Sequence, residues 1–277
     1  MSDYECQSAY HRIRVTDNEG VRLLRFERNR QSSMHLNDPF ETDMEYPGYL
    51  HLTLAIRPDA RRALFIGLGG GSAVKRMWRD YPALAIDVAE IDEKVVEVAY
   101  RFFALPHDAR IRVFVEDGAG FVQTAPDLYD LIIIDAFDDD FVPRPLMTEE
   151  FLRACRDCLS PSGVVAYNVI GAVFGPHSRS FRSLYRTVRN VWRRVWVFPI
   201  GSGQDVTDKT RNIVLLASDT EVDDELLLER IASRIDGRVS VPAFERCAED
   251  YYRGKVRAGD VPLITEQARH PNRRRRR

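Results

Sequence analysis

The sequence predicts an α/β fold, a largely parallel sheet covered on both faces, preceded by a small N-terminal β module. Three observations carry this expectation. From residue 63 onward, short apolar strand-like runs alternate with helical stretches, the pattern of repeated βαβ units. A glycine cluster, Gly67-Leu68-Gly69-Gly70-Gly71-Ser72, stands between the first of these runs and the helix that follows it. The strand-like runs after it end in carboxylates, at the sheet edge where open α/β folds place their ligands.

Taken in order, 11–15 and 21–26 alternate as strands around the turn Asp17-Asn18-Glu19-Gly20, a hairpin with a Gly-containing connection. Residues 31–46 are polar and read as irregular, and Pro47-Gly48 punctuates them before an apolar, helix-like stretch at 49–56. The boundary falls near Arg57-Pro58, so 1–58 is expected to be a β-hairpin module with its linker, 59–240 the α/β domain, and 241–277 a C-terminal extension with a disordered basic tail. Within the α/β domain the expected strands are 63–67, 85–90, 111–115, 131–135, 164–168, 194–198 and 211–218. Helices are expected near 73–80, 93–103, 148–158, 180–191 and 223–235.

Composition excludes several classes. A net charge of -2, with Lys and Arg spread along the chain, argues against a nucleic-acid partner, and the arginine run at 273–277 reads as a solvated tail. No apolar stretch reaches the roughly 18–20 residues that span a bilayer, so no membrane association is expected. Cys6, Cys155, Cys158 and Cys247 lack the density of a disulfide scaffold and no signal peptide precedes them, which points to the cytoplasm. Cys155 and Cys158 form a CxxC inside a helical stretch with no second pair or nearby His, and His35, His51, His107 and His177 have no ligand spacing, so no metal is expected.

The chemistry lies at the strand ends. Gly67 and Gly69 permit close approach of a ligand to backbone, and on their own they fit NAD, FAD or an adenosyl-sulfonium cofactor, or simply a tight turn. Glu90, about 20 residues on, is placed to accept hydrogen bonds from both hydroxyls of a ribose. The third strand ends in Glu116-Asp117-Gly118, where an acid can meet the adenine amine. The fourth ends in Asp135, followed by Ala136-Phe137-Asp138-Asp139-Asp140. One such Asp is commonly a cap or turn residue, but several in register point to a site. Carboxylates crowding this crevice would repel a pyrophosphate and attract a sulfonium or an amine, which disfavours dinucleotides. The expected domain is therefore class I methyltransferase-like, a Rossmann-like sheet binding S-adenosylmethionine or its decarboxylated form.

With these residues in place, the chain resembles the spermidine synthase family of polyamine aminopropyltransferases over nearly all of its length. The matching segments are Ala63-Leu64-Phe65-Ile66-Gly67-Leu68-Gly69-Gly70-Gly71, Ala89-Glu90-Ile91-Asp92, Glu116-Asp117-Gly118 and Tyr129-Asp130-Leu131-Ile132-Ile133-Ile134-Asp135-Ala136-Phe137. Val142-Pro143-Arg144-Pro145-Leu146-Met147-Thr148-Glu149-Glu150-Phe151-Leu152 and Gly163-Val164-Val165-Ala166-Tyr167-Asn168 are similar to a divergent, spermidine synthase-like branch. The resemblance implies that Glu90 holds the ribose, that Asp117 and Gly118 hold the adenine side, and that Gln31 touches the nucleoside. It implies Asp135 as the catalytic aspartate, Asp138 and Tyr49 as residues that hold the amine substrate, and a homodimer joined through the β module. Three departures stand against it. Gly70 replaces an aspartate that meets the donor's aminopropyl amine, no Tyr stands near Pro199-Ile200-Gly201, and Leu50 replaces the His or Gln after the active-site tyrosine.

The implied activity moves an aminopropyl group from decarboxylated S-adenosylmethionine to a small cationic amine. Such an amine has a pKa near 10 and must lose a proton before it attacks, which is work for a carboxylate such as Asp135. The alternatives are a methyltransferase using intact S-adenosylmethionine, which the absence of a carboxylate at Gly70 favours, and a non-catalytic relative that binds nucleoside or polyamine, which the retention of Asp135 disfavours.

Overall fold

The computed structural model describes residues 4–138, 141–203 and 208–267. Two sheets organise it. The first is an antiparallel meander, β1 (Tyr4–Gln7), β2 (Arg12–Asn18), β3 (Val21–Phe26) and β4 (Asn29–His35), with neighbours paired in chain order. Two short helices follow, α1 (Tyr46–Tyr49) and α2 (Leu52–Ile56). Then come β5 (Arg62–Ile66), α3 (Ser72–Asp80), β6 (Ala85–Glu90), α4 (Glu93–Phe102), β7 (Ile111–Val115), α5 (Gly118–Thr124), β8 (Tyr129–Ile134), α6 (Glu149–Asp157) and β9 (Leu159–Gly171). The α/β pattern closes with α7 (Arg179–Val191), β10 (Arg194–Pro199), β11 (Arg211–Ser218) and α8 (Asp224–Ala232).

The second sheet has the order β10-β11-β9-β8-β5-β6-β7. Strands β5 to β9 run parallel, and β11 enters antiparallel between β9 and β10. Period-two alternation divides its side chains between two cores. Ala63, Phe65, Ile86, Val88, Leu131 and Ile133 pack on one face; Leu64, Ile66, Ala89, Ile132 and Ile134 pack on the other. Both faces are covered by helices, so the central strand β8 reads as a nearly unbroken apolar run, while β6 carries Asp87 and the edge strand β7 carries Arg112.

The chain order β5-β6-β7 runs outward in one direction from β5, and β8-β9 in the other, so the order reverses between β5 and β8. The crevice above the carboxyl ends of these two strands is where such a sheet takes its ligand. The meander is fastened above that edge. Ser32 Oγ accepts from the Gly70 amide at 2.8 Å, Lys75 Nζ donates to the carbonyls of Pro39 and Phe103 at 2.7 and 2.6 Å, and Arg22 reaches the Phe102 carbonyl at 2.8 Å.

The structure corrects several local expectations. Part of 31–46 is ordered strand: Ser32, Ser33 and Met34 are buried on β4. Its polar side chains face partners, Ser32 on the glycine loop and Ser33 on Thr42 at 2.7 Å, which hides the alternation that marks a half-apolar strand. The helix expected over 49–56 is confined to Leu52–Ile56, and a separate short helix, α1, precedes it at Tyr46–Tyr49. At α1, Gly48 lets Val241 approach so closely that a Cβ would stand 2.8 Å from its Cγ1. Helix α5, too short for a periodic signal, begins where Asp117 caps it. The helix expected to reach 235 stops at Ala232, because Arg234, Ile235 and Asp236 have positive φ. The arginine run at 273–277 lies outside the described residues.

No helix among the described residues is long and apolar enough to cross a membrane.

Candidate active site

The floor of the cleft is built by the glycine loop meeting the end of β8. The Asp135 amide donates to the Ile66 carbonyl at 2.9 Å, continuing the parallel ladder by one residue. Gly67, at φ +95°, lies against the Asp135 carbonyl, where any Cβ would collide with backbone. Around this floor stand Gln31 from β4, Tyr46 from α1, Gly67 and Gly69, Glu90 from the end of β6, Asp117 and Gly118 from the start of α5, and Asp135. Ala136, Phe137, Pro143, Pro145 and Leu146 form the wall beyond Asp135. Tyr167 holds that wall by donating its hydroxyl to the Leu146 carbonyl at 2.5 Å.

Each carboxylate is fixed differently. Glu90 is buried, its Oε2 accepting from the Leu68 amide at 2.9 Å and its Oε1 from the Asp92 amide at 3.0 Å. Burial pushes its carboxyl up to about 7 despite those donors. Asp117 turns its Oδ2 to the Gly120 amide at 2.9 Å, so it caps α5 as well as lining the cleft. Asp135 accepts from Asn168 Nδ2 on Oδ1 at 3.0 Å and from the Tyr46 hydroxyl. Burial raises its carboxyl to about 6, while both hydrogen bonds pull it down. The Tyr46 phenol is held well above its usual range by burial and by Asp135, so it stays protonated and donates.

The residues anticipated from sequence fall into two groups. Gln31, Gly67, Gly69, Glu90, Asp117, Gly118 and Asp135 share one cleft. Tyr49 and Asp138 are not among the described residues lining it. The Tyr49 hydroxyl donates to Asp250 Oδ2 at 2.5 Å, and Asp250 also accepts from the Gly201 and Gly203 amides at 2.6 and 2.5 Å. Asp138 is exposed on the loop after β8 and makes a backbone bridge to Phe141. Asp139 and Asp140, the rest of that acidic run, lie outside the described residues.

Three residues of the site were not singled out from sequence. Asn168 lies within β9, one residue past the pairing of Tyr167 with Ile134 and so level with Asp135; the sequence pattern ended the expected strand 164–168 on it, and the strand-end argument extended by one strand would have found it. Asn212 donates to Asn168 Oδ1 at 2.9 Å from an antiparallel strand, to which that argument does not apply. Tyr46 precedes Pro47 in a segment without periodicity and carried no signal. His11 and Phe26, stacked at 4.2 Å, add an aromatic rim from the meander.

The described lining holds three carboxylates and neither Lys nor Arg. Such a cleft accumulates cations and opposes polyphosphates. Among the described residues no group of His, Cys, Asp and Glu is arranged to hold a metal ion.

The chain is similar to known proteins in both sequence and fold. The chain is 32% identical over 193 residues to the polyamine aminopropyltransferase of Vibrio vulnificus, covering 66% of this chain and 64% of that one. It is 34% identical over 120 residues to the enzyme of the same name from Clostridium beijerinckii, covering 42% of each. The chain thus spans less than two thirds of the length of these relatives. In fold it superposes on a probable spermidine synthase from Corynebacterium glutamicum with a TM-score of 0.75 at 19% identity, covering 98% of this chain and 99% of that one. Human methyltransferase-like protein 13, solved with SAH, matches at 0.57 and 23% identity over 71% of this chain and 90% of that one. The sequence model of the spermine/spermidine synthase domain matches residues 48–199, from the segment before the glycine loop to the end of β10, and the chain belongs to that family.

Proposed function

We propose that this protein is an aminopropyltransferase that moves the aminopropyl group of decarboxylated S-adenosylmethionine to an amine acceptor. The observation that carries the reading is the placement of Asp135: its carboxylate, held by Asn168 and Tyr46, stands in one cleft with Glu90 and Asp117. Glu90 accepts from the ribose hydroxyls, Asp117 and Gly118 face the adenine, and Gln31 closes over the nucleoside from the meander. The acceptor amine arrives protonated, and Asp135 takes or relays its proton. The freed nitrogen lone pair then attacks the carbon next to sulfur, the carbon–sulfur bond breaks, and methylthioadenosine leaves neutral. General-base assistance of this kind contributes about 10²- to 10⁴-fold. Asp138, at the exposed rim, attracts the incoming amine.

Gly70 bears on the rival methyl-transfer reading. A Cβ there would stand 2.8 Å from Phe103 Cδ1 and 2.9 Å from Ser32 Cβ. Gly70 is not among the described residues lining the cleft, and its Cβ position faces Phe103 and Ser32, so the missing carboxylate does not by itself favour the intact methionine tail.

Calorimetric binding of S-adenosylmethionine, its decarboxylated form and methylthioadenosine, followed by product analysis with a panel of mono-, di- and triamines, tests the proposal. Amine-dependent release of methylthioadenosine is expected; S-adenosylhomocysteine with a methylated product would replace this reading by methyl transfer, and binding of none would remove both.

A further inference from the structure

Among the described residues, Asn168 is the one side chain outside the cleft lining that hydrogen-bonds the Asp135 carboxylate, and its amide could face that carboxylate with either end. With Nδ2 toward Asp135 it donates and favours the carboxylate form; turned over, its carbonyl oxygen would oppose it. Asn212 sets the choice as it is placed: its Nδ2 donates to Asn168 Oδ1 at 2.9 Å, which leaves Asn168 Nδ2 on Asp135 Oδ1 at 3.0 Å. Both asparagines come from adjacent antiparallel strands, where Asn168 pairs with Val214 and Asn212 with Ile170. Asn168 is buried, so a reversed amide would find no water to compensate it.

We propose that Asn212 is a positioning residue for the transfer reaction: by fixing the orientation of the Asn168 amide it commits one oxygen of Asp135 to a donor and keeps the carboxylate ready to accept the proton of the acceptor amine.

The effect belongs to this chain of amides because the other groups around Asp135 act differently. Tyr46, from α1, donates directly to it. Glu90 and Asp117, from the β6 end and the α5 start, and His11, from the meander, share the cleft. Asp138 lies on the same loop as Asp135, at its exposed end. Arg211, next to Asn212, donates to the Ile200 carbonyl at 3.4 Å. None of these contacts fixes the Asn168 amide.

The rate consequence rests on Asp135 acting as the base in the proposed transfer; the titration consequence does not. Replacing Asn212 with Leu, close in size but without a donor, frees the Asn168 amide to turn. Asp135 then loses an ionic-state partner, its pKa rises, and the acid limb of the rate profile moves to higher pH. We expect a shift of about one pH unit, equivalent to a tenfold loss of rate below the limb with little loss above it. Asn168→Leu should shift the limb at least as far. In parallel, the Asp135 side-chain carboxyl is titrated by carbon NMR in the methylthioadenosine-bound and free protein, with assignment by the signal lost in Asp135→Asn. An upward midpoint in both variants supports the proposal whether or not turnover is aminopropyl transfer. A uniform fall in rate at every pH with an unmoved carboxyl midpoint would overturn it, as would a shift in Asn168→Leu that Asn212→Leu does not share. If Asn212→Leu does not fold, Asn212→Ala, which also lacks the donor, is read by the same two measurements.

Discussion

Glu90 Oε2 accepts from the backbone amide of Leu68 at 2.9 Å, so the carboxylate proposed to hold a ribose also holds the glycine loop. Glu90→Gln keeps the side-chain shape but sets an NH₂ group against either the Leu68 or the Asp92 amide, where two donors oppose one another. We expect nucleoside affinity to fall by about 10- to 100-fold, the scale of a lost hydrogen bond to a charged group. Calorimetry with methylthioadenosine measures it. An affinity within twofold of the unaltered protein would remove Glu90 from the nucleoside site.

Asp135→Asn should lower turnover by about 10²- to 10⁴-fold while nucleoside affinity stays within a few-fold. The same residue sets a pH dependence. Its carboxyl is raised to about 6 in the folded protein, so the base form is lost as pH falls through that value and turnover declines on the acid side. For stability the sign is opposite. A carboxyl with a raised folded-state pKa favours folding below its unfolded value near 4, and that contribution is lost as pH rises from about 4 through about 6. Rate profiles of the unaltered protein and thermal melting across this window, compared with Asp135→Asn, read both signs. A flat acid limb in the unaltered protein would contradict the assignment.

Much of this site was visible in the sequence, for a definite reason. Gly67, Glu90, Asp117 and Asp135 each end or follow a parallel strand, so apolar runs with polar punctuation point to one sheet edge. Residues that reach the site from elsewhere give no such signal. Tyr46 lies in an aperiodic segment, and Asn212 lies on a strand running the other way. The meander's last strand was hidden for a related cause: Ser32 and Ser33 are buried but hydrogen-bonded, so burial there has no apolar signature. Tyr49, matched by resemblance to a substrate tyrosine, has its hydroxyl on Asp250, and nothing in the local sequence could have shown a partner some 200 positions away.

That Tyr49–Asp250 contact makes a stability prediction. Asp250 is buried and gathers the Tyr49 hydroxyl, the Ser202 hydroxyl at 3.2 Å and the amides of Gly201 and Gly203. Asp250→Ala leaves these donors without an acceptor and should destabilise the fold by about 3 kcal/mol. In a protein of this size that lowers the melting temperature on the order of 8 °C. A change under 2 °C would mean that water replaces the carboxylate without loss.

Restoring an aspartate at Gly70 should not restore a conventional site. The new side chain would press on Phe103 and Ser32, and overpacking of this kind costs about 1–3 kcal/mol. Gly70→Asp is therefore expected to melt several degrees lower and to gain no rate with any amine. A rise in turnover at unchanged melting temperature would show that the neighbours yield and that a carboxylate is useful there.

The insertion of β11 between β9 and β10 has a consequence for the order in which the molecule becomes competent. The contact between Glu90 and Leu68 closes over 22 residues, within one βαβ unit. The link from Asn168 to Asp135 spans 33, and that from Asn212 to Asn168 spans 44 and requires the chain to pass β10 and return. Long closures form late when a chain folds. A refolding chain is thus expected to acquire nucleoside binding first and proton-accepting capacity last, with a loaded but inert state in between.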